Sequence, residues 1–136
     1  MTNPTSTLDL AVQIASKAHV GQLDKQGFPY RTHPLAVMAR VEGLDAKAVA
    51  VLHDVIEDTA TTADDVRRAG LSDDLVAAVQ CVTHSPDESY PDYVVRSKAN
   101  PLARKVKLAD LEENYRLDRA LFRPDRAQRD FTRIHR

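Results

Sequence analysis

The run AVAVLHDVIEDTA, residues 48–60, places His53, Asp54, Glu57 and Asp58 directly after an apolar stretch. On a helix, His53 and Glu57 share a face at i,i+4, and so do Asp54 and Asp58. Ionisable groups beside a core are costly unless a cation or polar partners compensate them. Any fold for this chain must therefore bring compensating groups to this run. A metal site is one way to do so.

The rest of the pattern is helical, with neither strand alternation nor an internal repeat. Thr7 can cap a helix through LAVQIASKAHV, where Leu10, Ile14 and Ala18 form a stripe. The loop GQLDKQGFPYRTH follows, broken by Gly21, Gly27 and Pro29. Pro34 opens a second helix, which Gly43 stops. A third helix, Ala/Val-rich and buried, is expected from Asp45 to Glu57. Thr62 with Asp65 marks a short helix that ends at Gly70, and Ser72 caps the next, from Asp73 to about Thr83. SPDES reads as a loop, Tyr90 to Lys98 as a short helix, and Pro101 opens another through about Leu117. Pro124 opens a last one.

The 136 residues suit a single domain, 1–136, and the 43% apolar content is enough for a core without disulfides. The net charge of −1 provides no basic field for nucleic acid. Arginines recur every three or four residues from Arg116 to Arg136, in a helix expected over about 124–136. With only Phe122 and Phe131 interleaved there is no stacking platform, so this face reads as solvated, with a homodimer contact as the other role. The single Cys81, in VAAVQCV, reads as a small buried residue, which fits a reducing cytoplasm. The N-terminus carries no signal-peptide pattern. No stretch reaches the roughly 18 apolar residues of a membrane span.

Metal ligands must converge from separate elements. His33 lies at the loop-to-helix junction before Pro34, His53-Asp54 lies toward the end of the third helix, and Asp110 lies in ARKVKLADLEENYR. Two imidazoles and two carboxylates suit Mn²⁺, Fe²⁺, Co²⁺ or Zn²⁺ and neutralise a dication. His19, His84 and His135 read as structural residues. For Glu57-Asp58 on their own, helix-end solvation with Asp58 capping Thr61 or Thr62 competes with a catalytic role.

These residues, in this order, resemble the HD superfamily of metal-dependent phosphohydrolases. HVGQLDKQGFPYRTHP, VLHDVIEDTATT and VKLADLEENYR are similar to the three motif segments of Rel/SpoT-type guanosine tetraphosphate, (p)ppGpp, hydrolases, over residues 8–117. The resemblance implies an all-α fold, a compact HD-domain helical bundle of about six to eight helices. It implies that His33, His53, Asp54 and Asp110 hold one divalent metal, Mn²⁺ by analogy. Glu57 and Asp58 would orient or deprotonate the attacking water, Asn114 would face the substrate, and Lys25 and Tyr30 would fall in the nucleotide-binding loop. The family usually carries Arg-Lys in that loop, with the arginine stacked on guanine. Here the pair is Asp24-Lys25, and a carboxylate cannot stack in that way.

The expectation is a cytoplasmic hydrolase of a small nucleotide, most directly a (p)ppGpp 3′-pyrophosphohydrolase. Another phosphohydrolase chemistry on the same site is the first alternative. A non-catalytic nucleotide-binding HD module is the second, and it would be marked by a broken ligand set.

Overall fold

The computed structural model describes residues 6–21 and 32–120, with 32 and 116–120 as backbone only. The 22–31 loop, with Asp24, Lys25 and Tyr30, and the Arg-rich 124–136 segment lie outside the described residues.

The elements are α1 (Thr7–Ala18), α2 (Thr32–Ala39), α3 (Leu44–Leu52), α4 (Val55–Asp58), α5 (Ala63–Arg68), α6 (Asp73–Cys81), α7 (Tyr90–Ala99) and α8 (Pro101–Ala120). No strand occurs among the described residues, as the periodicity predicts. None of their helices is long and apolar enough to cross a membrane.

The bundle is organised around α3. Ala46, Ala48, Val49, Ala50, Val51 and Leu52 are all buried, because beyond Lys47 α3 is apolar on every side and must be enclosed. Helices α1, α2, α6 and α8 pack against it. Its alanines let those neighbours approach closely, while Val49 and Leu52 fill the space between them. Each such side chain is stabilised by roughly 1.5–3 kcal/mol on leaving water.

Caps fix the ends of the elements. The cap of α1 is Ser6 rather than Thr7: Ser6 has extended backbone, and its Oγ accepts the Asp9 N–H at 3.1 Å. Helix α2 starts two residues before Pro34, which is buried in its first turn. It ends at Ala39, ahead of Gly43, and Gly43 instead precedes α3 with φ 93°. Thr62 and Asp65 form the expected capping box, at 3.1 and 3.0 Å. Gly70 turns at φ 121°, where an added Cβ would lie 3.1 Å from Leu10 Cδ2. Ser72 and Ser89 cap α6 and α7. Cys81 is only partly buried against the core.

One element differs in a way that matters for the site. The helix expected from Asp45 to Glu57 breaks at His53-Asp54 and resumes as α4. A continuing helix would use Ala50 O to accept the Asp54 N–H. Here that carbonyl accepts both the His53 backbone N–H at 3.3 Å and the His53 Nδ1–H at 2.6 Å. Asp54 then takes φ −105°, ψ 0°, and its own carbonyl accepts from Asp58 N at 2.9 Å to restart the helix. The imidazole thus competes with the backbone ladder and turns the chain.

Candidate metal centre

Three elements supply the cluster. His33 comes from the first turn of α2, His53-Asp54 from the break between α3 and α4, and Asp110 from the middle of α8. His33, His53 and Asp54 each bring a ligand atom to within 4.8 Å of the others. Asp110 Oδ1 sits 2.9 Å from His33 Nε2 and 3.3 Å from His53 Nε2. Asp54 Oδ2 is 3.1 Å from the same His53 nitrogen. The two imidazole rings meet edge to face, with centroids 5.2 Å apart.

This geometry fits a cation. His53 Nδ1 donates to Ala50 O, which leaves Nε2 as the lone-pair nitrogen of the neutral ring. Nε2 is buried and makes no well-aligned hydrogen bond, although two carboxylate oxygens stand close to it. Lone pairs from imidazole and carboxylate converging at about 3 Å repel unless a proton or a metal ion lies among them. Without a metal, the proton goes to His53. Burial works against the charged ring, but the charges of Asp54 and then Asp110 overcome it and raise its pKa well above the usual range.

Asp110 is held on both oxygens. Oδ2 accepts from Lys107 Nζ at 3.2 Å, and Oδ1 also accepts from Asn114 Nδ2 at 3.3 Å. Burial favours its neutral form, but Lys107, then His53, outweigh it and hold the carboxyl well below the usual range. Lys107 is itself half-buried, with its Nζ 5.3 Å from the Tyr93 ring centroid. Desolvation disfavours its charge, yet Asp110 keeps its pKa raised.

Glu57 and Asp58 lie one turn beyond, on α4. Ligand atoms of Asp54, Glu57 and Asp58 also fall within 4.8 Å of one another. Glu57 Oε1 accepts the His84 backbone N–H at 2.7 Å. Its pKa is raised, first by desolvation of the carboxyl end and then by the charges of Asp54 and Asp58, against the His84 bond that lowers it. The residue as a whole stays exposed. Burial, more than its acidic neighbour, is therefore the leading cause. A cleft of about 700 Å³ opens beside it, walled by Ile56, Thr83, His84 and Arg96 among others. At the start of α5 the Thr62 N–H is taken by Asp65 within the capping box.

The structure brings together His33, His53, Asp54, Asp110, Glu57, Asp58 and Asn114, while Lys25 and Tyr30 lie outside the described residues. Lys107, three positions before Asp110 and able to share its face, reads from the sequence as a solvated lysine; the structure instead pairs it with Asp110. His84 and the SPDES loop are structural as read, with the His84 ring stacked on Tyr93, but the reach of the His84 amide to Glu57 across 27 positions carries no sequence signal.

No family model matches the chain. Over 88% of this chain, it is 36% identical to a GTP pyrophosphokinase of Streptomyces coelicolor, of which it covers 16%. Over 58 residues, 40% of this chain, it is 45% identical to a guanosine-3′,5′-bis(diphosphate) 3′-pyrophosphohydrolase of Haemophilus influenzae, of which it covers 9%. The chain thus spans a small part of the length of these curated relatives. Its fold matches that of a metazoan orthologue of SpoT that hydrolyses ppGpp, with TM-score 0.78 at 24% identity over 98% of this chain and 86% of the other. An all-helical bundle of this shape, carrying these three segments, belongs with the Rel/SpoT-type HD-domain proteins.

Proposed function

We propose that the chain forms one HD domain, and that this domain is a metal-dependent phosphohydrolase of a nucleotide, (p)ppGpp cleaved at its 3′ pyrophosphate. The observation that carries this reading is the convergence of His33, His53, Asp54 and Asp110 beside a carboxylate with a raised pKa. The relatives' activities on guanosine polyphosphates support the choice of substrate.

His33, His53, Asp54 and Asp110 would hold one divalent ion, a role that the donor set fits for Mn²⁺, Fe²⁺, Co²⁺ or Zn²⁺ and that the family resemblance assigns to Mn²⁺. When bound, such an ion acidifies water and draws charge from a phosphoryl oxygen. The chain's own residues do the rest. His53 is locked in one tautomer by Ala50 O, so its ligand nitrogen is aimed in advance. Lys107 fixes Asp110 Oδ2 and adds a positive charge that favours an anionic substrate. Glu57, raised toward the working pH, takes a proton from the attacking water at its carboxylate, with Asp58 as its partner. Asn114 stands one turn from Asp110, where its amide can meet the substrate as well as Asp110 Oδ1.

The test is a substrate panel with added Mn²⁺. Release of pyrophosphate from ppGpp is the expected result. Orthophosphate from nucleoside monophosphates, with ppGpp untouched, overturns the substrate. Asp24 favours a second reading in which the same site cleaves another nucleotide, since a carboxylate cannot stack on guanine. Asp24→Arg should therefore raise affinity for guanosine substrates, and an unchanged KM would remove this loop from the base.

A further inference from the structure

Glu57 is gripped from outside its own helix pair. The His84 N–H that it accepts belongs to the link between α6 and α7, and that link is tied into a unit. The His84 ring stacks on Tyr93 with centroids 4.9 Å apart and planes 26° from parallel, and its Nε2 donates to Glu88 O at 2.7 Å. Glu88 N donates back to Ser85 O at 3.1 Å.

Arg96, on α7, closes this loop from below. Its Nε and Nη2 each meet one Glu88 carboxylate oxygen at 2.8 Å. Nη1 donates to Gln80 O and Nη2 to Thr83 O, both at 2.7 Å, at the end of α6. One planar guanidinium therefore binds both ends of the 83–88 loop at once. An exposed ion pair alone contributes little. This one also bonds two carbonyls at the end of α6, that of Thr83 and that of Gln80, which already accepts the Thr83 N–H at 3.1 Å, and only the fork of arginine has the geometry for all four bonds.

We propose that Arg96 is a positioning residue, clasping the 83–88 loop so that the His84 N–H holds the Glu57 carboxylate at the edge of the metal cluster. This rests on the proton-handling role given to Glu57 above. A displacement of about 1 Å in such a group costs on the order of a hundredfold in rate. Arg96 itself acts through the loop.

The experiment uses the full chain, with Arg96→Lys, Glu57→Gln and the double variant. In Arg96→Lys, kcat should fall roughly tenfold to a hundredfold, with KM and bound metal unchanged. The same substitution added to Glu57→Gln should cost nothing further, because the group it positions is already gone. A purely structural role would instead subtract equally from both backgrounds, and that result overturns the proposal. The second readout needs no turnover. In metal-free protein, the ¹⁵N-edited amide signal of His84 should move in the same direction in Arg96→Lys as in Glu57→Gln. A His84 signal that ignores Arg96→Lys overturns the clasp. If Arg96→Lys does not fold, Glu88→Gln removes the other half of the clasp and is read in the same way. A wild-type chain inactive on the whole panel overturns the phosphohydrolase reading alone, and the His84 amide then decides the clasp.

Discussion

The four candidate ligands and the acidic pair beside them are held by opposite means. His53, Asp110 and His33 expose only 3, 9 and 12% of their side chains, and each is fixed by helices that also form the core. Glu57 and Asp58 are exposed residues on a four-residue helix, and Glu57 is held by a backbone amide from a loop. Burial serves the first group, since a dry, rigid set of lone pairs binds a cation strongly and rejects poor geometry. It would hinder the second. A group that must gain and lose a proton in each turnover needs contact with water and a pKa near the working pH.

Breaking the buried side should have the larger effect. Asp54→Ala removes one of the two carboxylates among the four candidate ligands. Elemental analysis should find metal at background, with phosphoester hydrolysis lost along with it. Retention of stoichiometric metal would take Asp54 out of the centre. Glu57→Gln keeps shape and volume and should leave metal content intact. On the role proposed for it, kcat should drop by about a hundredfold to ten-thousandfold. Equal metal content with undiminished kcat would leave Glu57 with no part in proton transfer.

The same contrast explains what could be read from the sequence. The α5 capping box and the Ser72 cap were legible because each is written within four residues. The candidate set His33, His53, Asp54 and Asp110 was legible because burial cost marks the His53-Asp54 run and the resemblance of three ordered segments adds His33 and Asp110; the structure draws these side chains together. The break at His53 was not, because it depends on which donor wins Ala50 O, and the Ala/Val run on either side has no breaker residue. Neither was the hold on Glu57, since a bond from a backbone amide 27 positions away leaves no mark in composition or spacing.

Acidity gives a smaller and more selective probe of the buried side. In metal-free protein the folded pKa of His53 is raised, because Asp54 and Asp110 overcome the effect of burial. Its contribution to stability is fully present below the unfolded value of about 6.5 and is lost as pH rises through the folded value. Asp110 runs the other way, with a depressed pKa whose contribution is present above about 3.9 and lost as pH falls through the folded value. A metal ion at Nε2 must displace the His53 proton. Apparent Mn²⁺ affinity, measured by titration calorimetry, should therefore rise by up to about tenfold per pH unit until His53 is deprotonated. An affinity flat from pH 6 to pH 8 would separate His53 from the metal.

The smallest effect sharpens the comparison at its far edge. Helix α4 is followed by a tight link, in which Thr59 Oγ1 donates to Val55 O at 2.6 Å and accepts from Thr61 N at 3.1 Å, before the Thr62 capping box begins. Two anchors could thus set the position of Glu57: this C-terminal link, or the His84 amide across the cleft. Thr62→Ala breaks the capping box without touching His84. Loss of such a cap costs about 1 kcal/mol, visible as a lower midpoint in denaturant with unchanged slope. If the loop side governs Glu57, kcat and bound metal should stay at the wild-type level while stability falls. A drop in kcat as large as that of Arg96→Lys would show that α4 is held from its own C-terminal end, and that the acidic pair depends on local structure just as the buried ligands depend on the core.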